Sequence, residues 1–315
     1  MELIPSSAPH WHLLLNHFPS VGSVFAVGLL LSALYLKSED LTQASLILFV
    51  ILALLAIPTF VSGAATRWAI EANAGISSEL IAAHQDAAVL ALIALLITGW
   101  LAWFSLWQHR RLARRSSWSL PAVLVMALVS LLSMAQVGGL GGDINHPEIR
   151  AEGLATGGAD GMGRAAAIEA YILDQSWAWP TMEAAHFIGM AMLFGVVVLV
   201  AIRVFGIGKS VPFPALHRLL PLGVFGFMIN VITGMLFFVA DSGRYTAMTN
   251  SFYPKMGLIV IGGTALLYFT MFERPWELKR DDVAPMTAKL VAAATVLMWS
   301  GVIVYGRLLP YLAGG

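Results

Sequence analysis

Apolar residues in this chain gather into eight long blocks rather than alternating or forming narrow stripes. The blocks cover 17–36, 43–63, 81–107, 119–141, 181–205, 219–240, 255–272 and 289–309. Each is close to or above the roughly 20 residues an α-helix needs to cross a ~30 Å hydrocarbon core. The polar stretches between them are short, except for 143–180, which is too long to be a simple connector. The pattern predicts an all-α, polytopic integral membrane protein with about eight transmembrane helices in two four-helix halves. The expected boundaries are a first module over 1–142, an outer-face loop over 143–180 and a second module over 181–315. Within the loop, "GRAAAIEAYILDQ" predicts a short helix, and Trp177 and Trp179 suit the membrane interface ahead of the fifth span. No repeat of 20–50 residues and no low-complexity tract interrupts this plan.

Composition agrees with it. The 315 residues are 58% hydrophobic and only 11% charged, where a soluble domain has ~45–50% apolar and ~25% charged residues. The N-terminal "MELIPSSAPHWHLLLNH" lacks the basic start of a cleaved signal peptide, so the first apolar block is expected to be retained. The absence of cysteine excludes disulfides, iron–sulfur clusters, thiolate-ligated haem and covalent c-type attachment. Any metal or cofactor must be held by His, Met, carboxylate or backbone. No P-loop, dinucleotide fingerprint, H-E-x-x-H or G-x-S-x-G occurs, so a self-contained soluble-type catalytic centre is not expected. At most the chain is an oxidoreductase subunit. A net charge of +0 with short basic loops argues against a nucleic-acid partner.

Charge sets the expected orientation. "QHRRLARRSSW" carries Arg110, Arg111, Arg114 and Arg115, the densest basic run, and is assigned to the cytoplasm by the positive-inside rule. Both termini then lie outside. Of the 18 Lys and Arg residues, only Arg67, Arg150, Arg164, Arg244, Lys255 and Arg307 are left on the outer side. The bacterial inner membrane is the expected location and the bilayer the first partner.

Eight histidines carry the candidate chemistry. His10 and His12 precede the first predicted span, and His109 lies in the basic inner loop. His17 starts the first span, His84 is near the start of the third, His146 follows the fourth and His186 is about two turns into the fifth. These four come from different helices at similar depths on the outer side, whereas His217 sits at the inner start of the sixth. One interfacial histidine is ordinarily a satisfied polar residue. Four converging on one side point further, because ionisable groups at membrane depth are costly and tend to mark sites. Helix bundles build haem and metal centres from facing side chains, and imidazole ligates haem iron, copper and zinc. His17, His84, His146 and His186 are therefore the candidate haem or metal ligands. His186 and His217 should be separated by most of the bilayer and should not share one iron.

"GGLGGDINHPEIR" (138–150) follows the fourth span. Its glycines remove side chains, so a flat cofactor or another helix can approach near Gly138–Gly142. The "HPE" turn would then aim His146 over the bundle, with Glu148 as its partner and Arg150 as a partner for propionate. The alternative is that the glycines end the helix and "DINHPEIR" is a solvated turn. In the sixth span Gly223, Gly226, Asn230, Thr233 and Gly234 form a small or polar stripe suited to close helix packing. Asn230 needs a hydrogen-bond partner at mid-membrane, either a helix carbonyl or a quinone oxygen. Arg203 and Lys255 are expected to snorkel to the interface. Glu183 shares a helix face with His186 and is positioned to orient it.

"LLLNHFPSVGSVFAVGLLL", "IPTFVSGAA", "IAAHQDAAVLALI" and "GGLGGDINHPEIR" together resemble an uncharacterised bacterial four-helix membrane family over about 11–150. Its pattern has N-H-x-P, PxxxxG, AHE-x-AA and GGxIRHxEI elements. Gln85 stands where that family usually has Glu, and Asn145 where it has Arg. "MEAAHFIGMAMLFG", "LLPLGVFGFMINVITGMLFF", "NSFYPKMGLIVIGG" and "WSGVIVYGRLL" resemble a second such family over about 181–309, with Lys255 in its Pro-Lys helix. Ala201-Ile202-Arg203 replaces that family's Asp-Leu-Arg. The resemblance implies that His17, His84, His146 and His186 belong to patterns, and membrane b-type cytochromes are the comparison it suggests.

The leading expectation is thus a b-type cytochrome-like electron-transfer subunit holding one or two haem b groups. It would relay electrons between quinol, whose quinone is a second candidate ligand, and another membrane or periplasmic subunit. Two other classes stand beside it: a copper- or zinc-binding membrane protein or transporter, and a structural subunit of a larger complex.

Overall fold

The structure is a computed structural model in which residues 7–70, 77–145, 163–271, 279 and 281–309 are described. Among them there is no strand, and the ordered elements are helices. They are α1 (Ala8–Leu15), α2 (His17–Leu36), α3 (Glu39–Ile70), α4 (Ser78–Leu112), α5 (Ser119–Asn145) and α6 (Arg164–Asp174). They continue with α7 (Ala178–Val204), α8 (Phe213–His217), α9 (Leu220–Ala240), α10 (Ser242–Ala247), α11 (Thr249–Met271) and α12 (Met286–Leu308). Eight helical segments among the described residues are long and apolar enough to cross a membrane. The chain is an all-α, multi-pass membrane protein.

The first segment is longer than the apolar block alone indicates. Ser7 precedes α1, with Pro9 in its first turn, where a missing N–H costs nothing. Asn16 between α1 and α2 keeps helical dihedrals, so the candidate span runs from Ala8 to Leu36. His10 and His12, read from sequence as lying in a tail, are on helix. Trp11, Leu13 and Leu14 are exposed on α1, as befits a surface facing lipid. Similarly, α5 runs on through Gly138–Gly142 to Asn145, so the glycines do not end it. The short helix expected over 163–175 is present as α6.

The residues form two compact units. The first comprises Met1–Ser105, Ser116–Asp174 and Val239–Thr246. In it α3 packs against α1 and α2, and α2 packs against α5. Small residues set the close approaches: a Cβ on Gly99 of α4 would collide with the Ala53 methyl of α3. The hydroxyls of Thr98 (α4) and Ser130 (α5), both fully buried, meet at 2.9 Å. Each hydroxyl has one proton, so one donates across the pair while the other donates back to its own helix, which satisfies polar groups in surroundings without water.

The second unit comprises Leu106–Arg115, Gln175–Phe238 and Ala247–Gly315. Here α12 packs against both α7 and α11. Helices α7 and α9 cross at Gly189 and Gly226, where a Cβ on either glycine would lie within 3 Å of the other's carbonyl oxygen. Arg203, expected to snorkel, is instead 2% exposed. Its guanidinium donates to the carbonyls of Val211 (2.7 Å), Lys279 (3.2 Å) and Asp282 (3.3 Å). It also lies 4.2 Å from the Phe213 ring centroid. Three carbonyls and an aromatic face surround the buried cation, with no carboxylate among the described residues, and they tie two connecting segments to the end of α7.

Candidate functional site

The histidine cluster of the first unit begins with α1. His12 Nδ1 donates to the Thr59 carbonyl of α3 at 3.1 Å, with the Ser62 hydroxyl at 3.3 Å. The Ser62 hydroxyl donates to the same carbonyl, so its oxygen can only accept from the ring. Thr59 in turn donates to Leu15, at the end of α1, and to Leu55. A side chain four residues on would crowd the Thr59 carbonyl, but that position is Gly63, where a Cβ would sit 2.9 Å from His12 Cε1.

His84 on α4 repeats this device on α5. Its Nδ1 donates to the Val137 carbonyl at 3.1 Å, and the residue four positions later is Gly141. A Cβ there would lie 3.3 Å from His84 Cε1. The glycine-rich run thus opens a helix carbonyl to an imidazole from a neighbouring helix. Among the described residues, Gly138 and Gly139 have no neighbouring atom within 4 Å of where a Cβ would stand.

The two imidazoles meet. His12 and His84 have ring centroids 6.5 Å apart and planes at 88°. With each Nδ1–H given to a carbonyl, each Nε2 carries the lone pair. An anchored second nitrogen is the usual support of a ligating histidine, fixing its tautomer and ring orientation.

Sequence reasoning passed over His12 because it placed the residue in a tail. The Ser7–Pro9 helix start, with apolar residues immediately after it, was the signal that could have found it. His17 lies differently: it is exposed, and its Nδ1 donates to Leu13, one turn back on the same helical segment, at 2.8 Å. His146, Glu148 and Arg150 lie outside the described residues. Nearby, Arg67 Nη1 donates to Gln85 Oε1. Asp86 accepts from the backbone N–H groups of Arg164 (2.8 Å) and Ala165 (3.0 Å), so a carboxylate of α4 caps the start of α6.

In the second unit His186 Nδ1 contacts Thr233 Oγ1 at 2.7 Å. That hydroxyl also lies 2.8 Å from the Ile229 carbonyl, so its single proton goes either to that carbonyl or to the imidazole nitrogen. The ring stands edge-on to Phe237 at 5.8 Å, and Phe237 packs on Trp179 at 4.9 Å. Glu183 is exposed and does not orient His186; Thr233 does. Asn230 donates to Gly226 at 3.0 Å, and among the described residues its buried Oδ1 has no partner. His217 is fully buried in α8. It lies beside the opposite end of α9 from Thr233.

Among the described residues, no three His, Asp or Glu side chains converge as a metal site. Comparison with protein-family models, with curated proteins and with solved structures finds no match.

Proposed function

We propose that this chain is an electron-transfer subunit of the bacterial cytoplasmic membrane. In this reading it is similar to b-type cytochromes and carries electrons between a quinol and a partner on the outer face. His12 and His84 are the residues that would hold one haem b. The observation that carries the reading is the His12–His84 relation: two imidazoles from different helices, 6.5 Å apart, each with Nδ1–H held by a backbone carbonyl.

The donor set favours haem over the other metal readings. Structural zinc takes four protein ligands and catalytic zinc three, whereas two imidazoles suffice for an iron whose other four ligands belong to its macrocycle. Bound haem would supply one-electron chemistry. The protein would hold the imidazoles at fixed orientation through Thr59 and Val137 and keep bulk water away with apolar helices.

The test is a reduced-minus-oxidised visible spectrum of the full-length protein in mild detergent, with a pyridine haemochrome assay for stoichiometry. A sharp b-type α-band that His12→Ala and His84→Ala each abolish supports the reading. A flat spectrum with folded protein defeats it, and metal analysis of the same sample then separates a copper- or zinc-binding protein from a structural subunit.

A further inference from the structure

The two imidazole sockets of the first unit share a plan but not their chemistry. On α3 the run is Thr59, Ser62 and Gly63, and on α5 the corresponding positions are Val137, Leu140 and Gly141. Both runs present a helix carbonyl to a histidine, Thr59 to His12 and Val137 to His84, each at 3.1 Å. Only the α3 run adds a hydroxyl beside the ring. Ser62 is 6% exposed, and its Oγ lies 3.3 Å from His12 Nδ1 and 2.8 Å from the Thr59 carbonyl. Leu140, at the same offset from Val137, has no acceptor to offer.

Counting protons assigns the roles. The Thr59 carbonyl can only accept, so the 3.1 Å contact places a proton on His12 Nδ1. That oxygen has two lone pairs, and in a regular α-helix the amide four residues on takes one of them. The Ser62 hydroxyl donates to the same oxygen, so the carbonyl does not serve the imidazole alone. With its single proton given to Thr59, Ser62 Oγ keeps lone pairs and shares the His12 N–H. A hydroxyl that donates is polarised into a better acceptor. Drawing on Nδ1–H in turn raises the basicity of the other ring nitrogen. We infer that Ser62 is a positioning residue for His12, sharing its Nδ1 proton with the Thr59 carbonyl and making His12 Nε2 a stronger electron donor than His84 Nε2. The consequence, a ferric state favoured over the ferrous, rests on the haem reading above. The inequality of the two sockets rests on these distances alone.

The experiment is potentiometric titration of the full-length protein in mild detergent, with haem per mole of folded protein measured alongside. Ser62→Ala should keep haem and raise its midpoint potential. The ferric form should lose about tenfold in relative stability, the low end for removing a partner behind a ligating histidine. For a one-electron couple that is about 59 mV. Ser62→Thr keeps the hydroxyl and should return the potential to the wild-type value. Leu140→Ser adds a hydroxyl at the matching offset on α5 and should lower the potential. It carries the test if Ser62→Ala does not fold or loses its haem, and an unmoved potential there overturns the inference. Haem retained at an unmoved potential in Ser62→Ala also overturns it, whatever happens to stability, and reduces Ser62 to packing. So does a Ser62→Thr potential shifted as far as that of Ser62→Ala. If the wild type holds no haem, the electron-transfer reading falls by itself. Nitrogen-15 NMR of the His12 imidazole then decides the inference. Ring-nitrogen shifts that move in Ser62→Ala and return in Ser62→Thr uphold the shared proton, and identical shifts in all three proteins overturn it.

Discussion

The imidazoles of His12 and His84 stand nearly perpendicular, 6.5 Å between centroids, though one belongs to the first turns of α1 and the other to α4. What aligns them is a shared local arrangement. Each ring enters a neighbouring helix where a carbonyl at position i is followed by glycine at i+4: Thr59 with Gly63, and Val137 with Gly141. Helical side chains lean toward the N-terminus and cover the preceding turn. Removing one exposes the carbonyl to a donor from outside the helix.

This geometry divides the histidines. His12→Ala and His84→Ala should each lose bound haem, while His17→Gln should retain it, because His17 is exposed and satisfied within its own helical segment. Haemochrome content per mole of folded protein measures this. Retention of haem by His12→Ala together with its loss in His17→Gln would reverse the assignment.

Glycine substitutions should separate packing from helix propensity. Gly63→Ala and Gly141→Ala force their histidine rings to shift, with Gly63 the tighter of the two. Overpacking of this kind costs about 1–3 kcal/mol and should perturb any ligand spectrum. Gly138→Ala has nothing to meet and should be neutral, or stabilising by up to about 1 kcal/mol through helix propensity. Thermal unfolding in detergent distinguishes the three, and equal effects at Gly138 and Gly141 would refute the packing argument.

Arg203 should be among the least replaceable residues of the second unit. Arg203→Met leaves the Val211, Lys279 and Asp282 carbonyls without this donor and removes the cation from Phe213. A loss of about 3–5 kcal/mol is expected, the range for breaking a buried charged network. Arg203→Lys should recover only part, since an ammonium cannot reproduce the planar fork. Unfolding midpoints provide the readout, and a Lys variant as stable as wild type would show that charge alone suffices.

Asp86 holds the start of α6. Asp86→Ala should free the Arg164 and Ala165 N–H groups at a cost of about 1 kcal/mol, as for loss of a helix N-cap. Limited proteolysis should then cut within 163–174 faster than in wild type, while Asp86→Asn, which keeps one acceptor oxygen, should lie between. Unchanged cleavage in the Ala variant would place the anchoring of α6 elsewhere.

Block length and charge alone identified the membrane-spanning helices, because a bilayer imposes a one-dimensional requirement: about 20 apolar residues with every backbone group bonded inside the helix. The short helix over 164–174 was legible for the same local reason. The histidines were legible as chemistry but not as partners. Sequence grouped His17, His84 and His186 by depth, and depth cannot state which way a side chain turns around its helix. His12 is hidden in the sequence because the continuous apolar block begins at His17, whereas Ser7 and Pro9 start the helix earlier. Arg203 looks like a snorkelling cation because its carbonyl partners at 211, 279 and 282 come from two connecting segments, one of them distant in sequence. The chain by itself determined which segments lie in the membrane. The tertiary structure decided which helix face meets which, and so which carbonyl is bare and which imidazole reaches it.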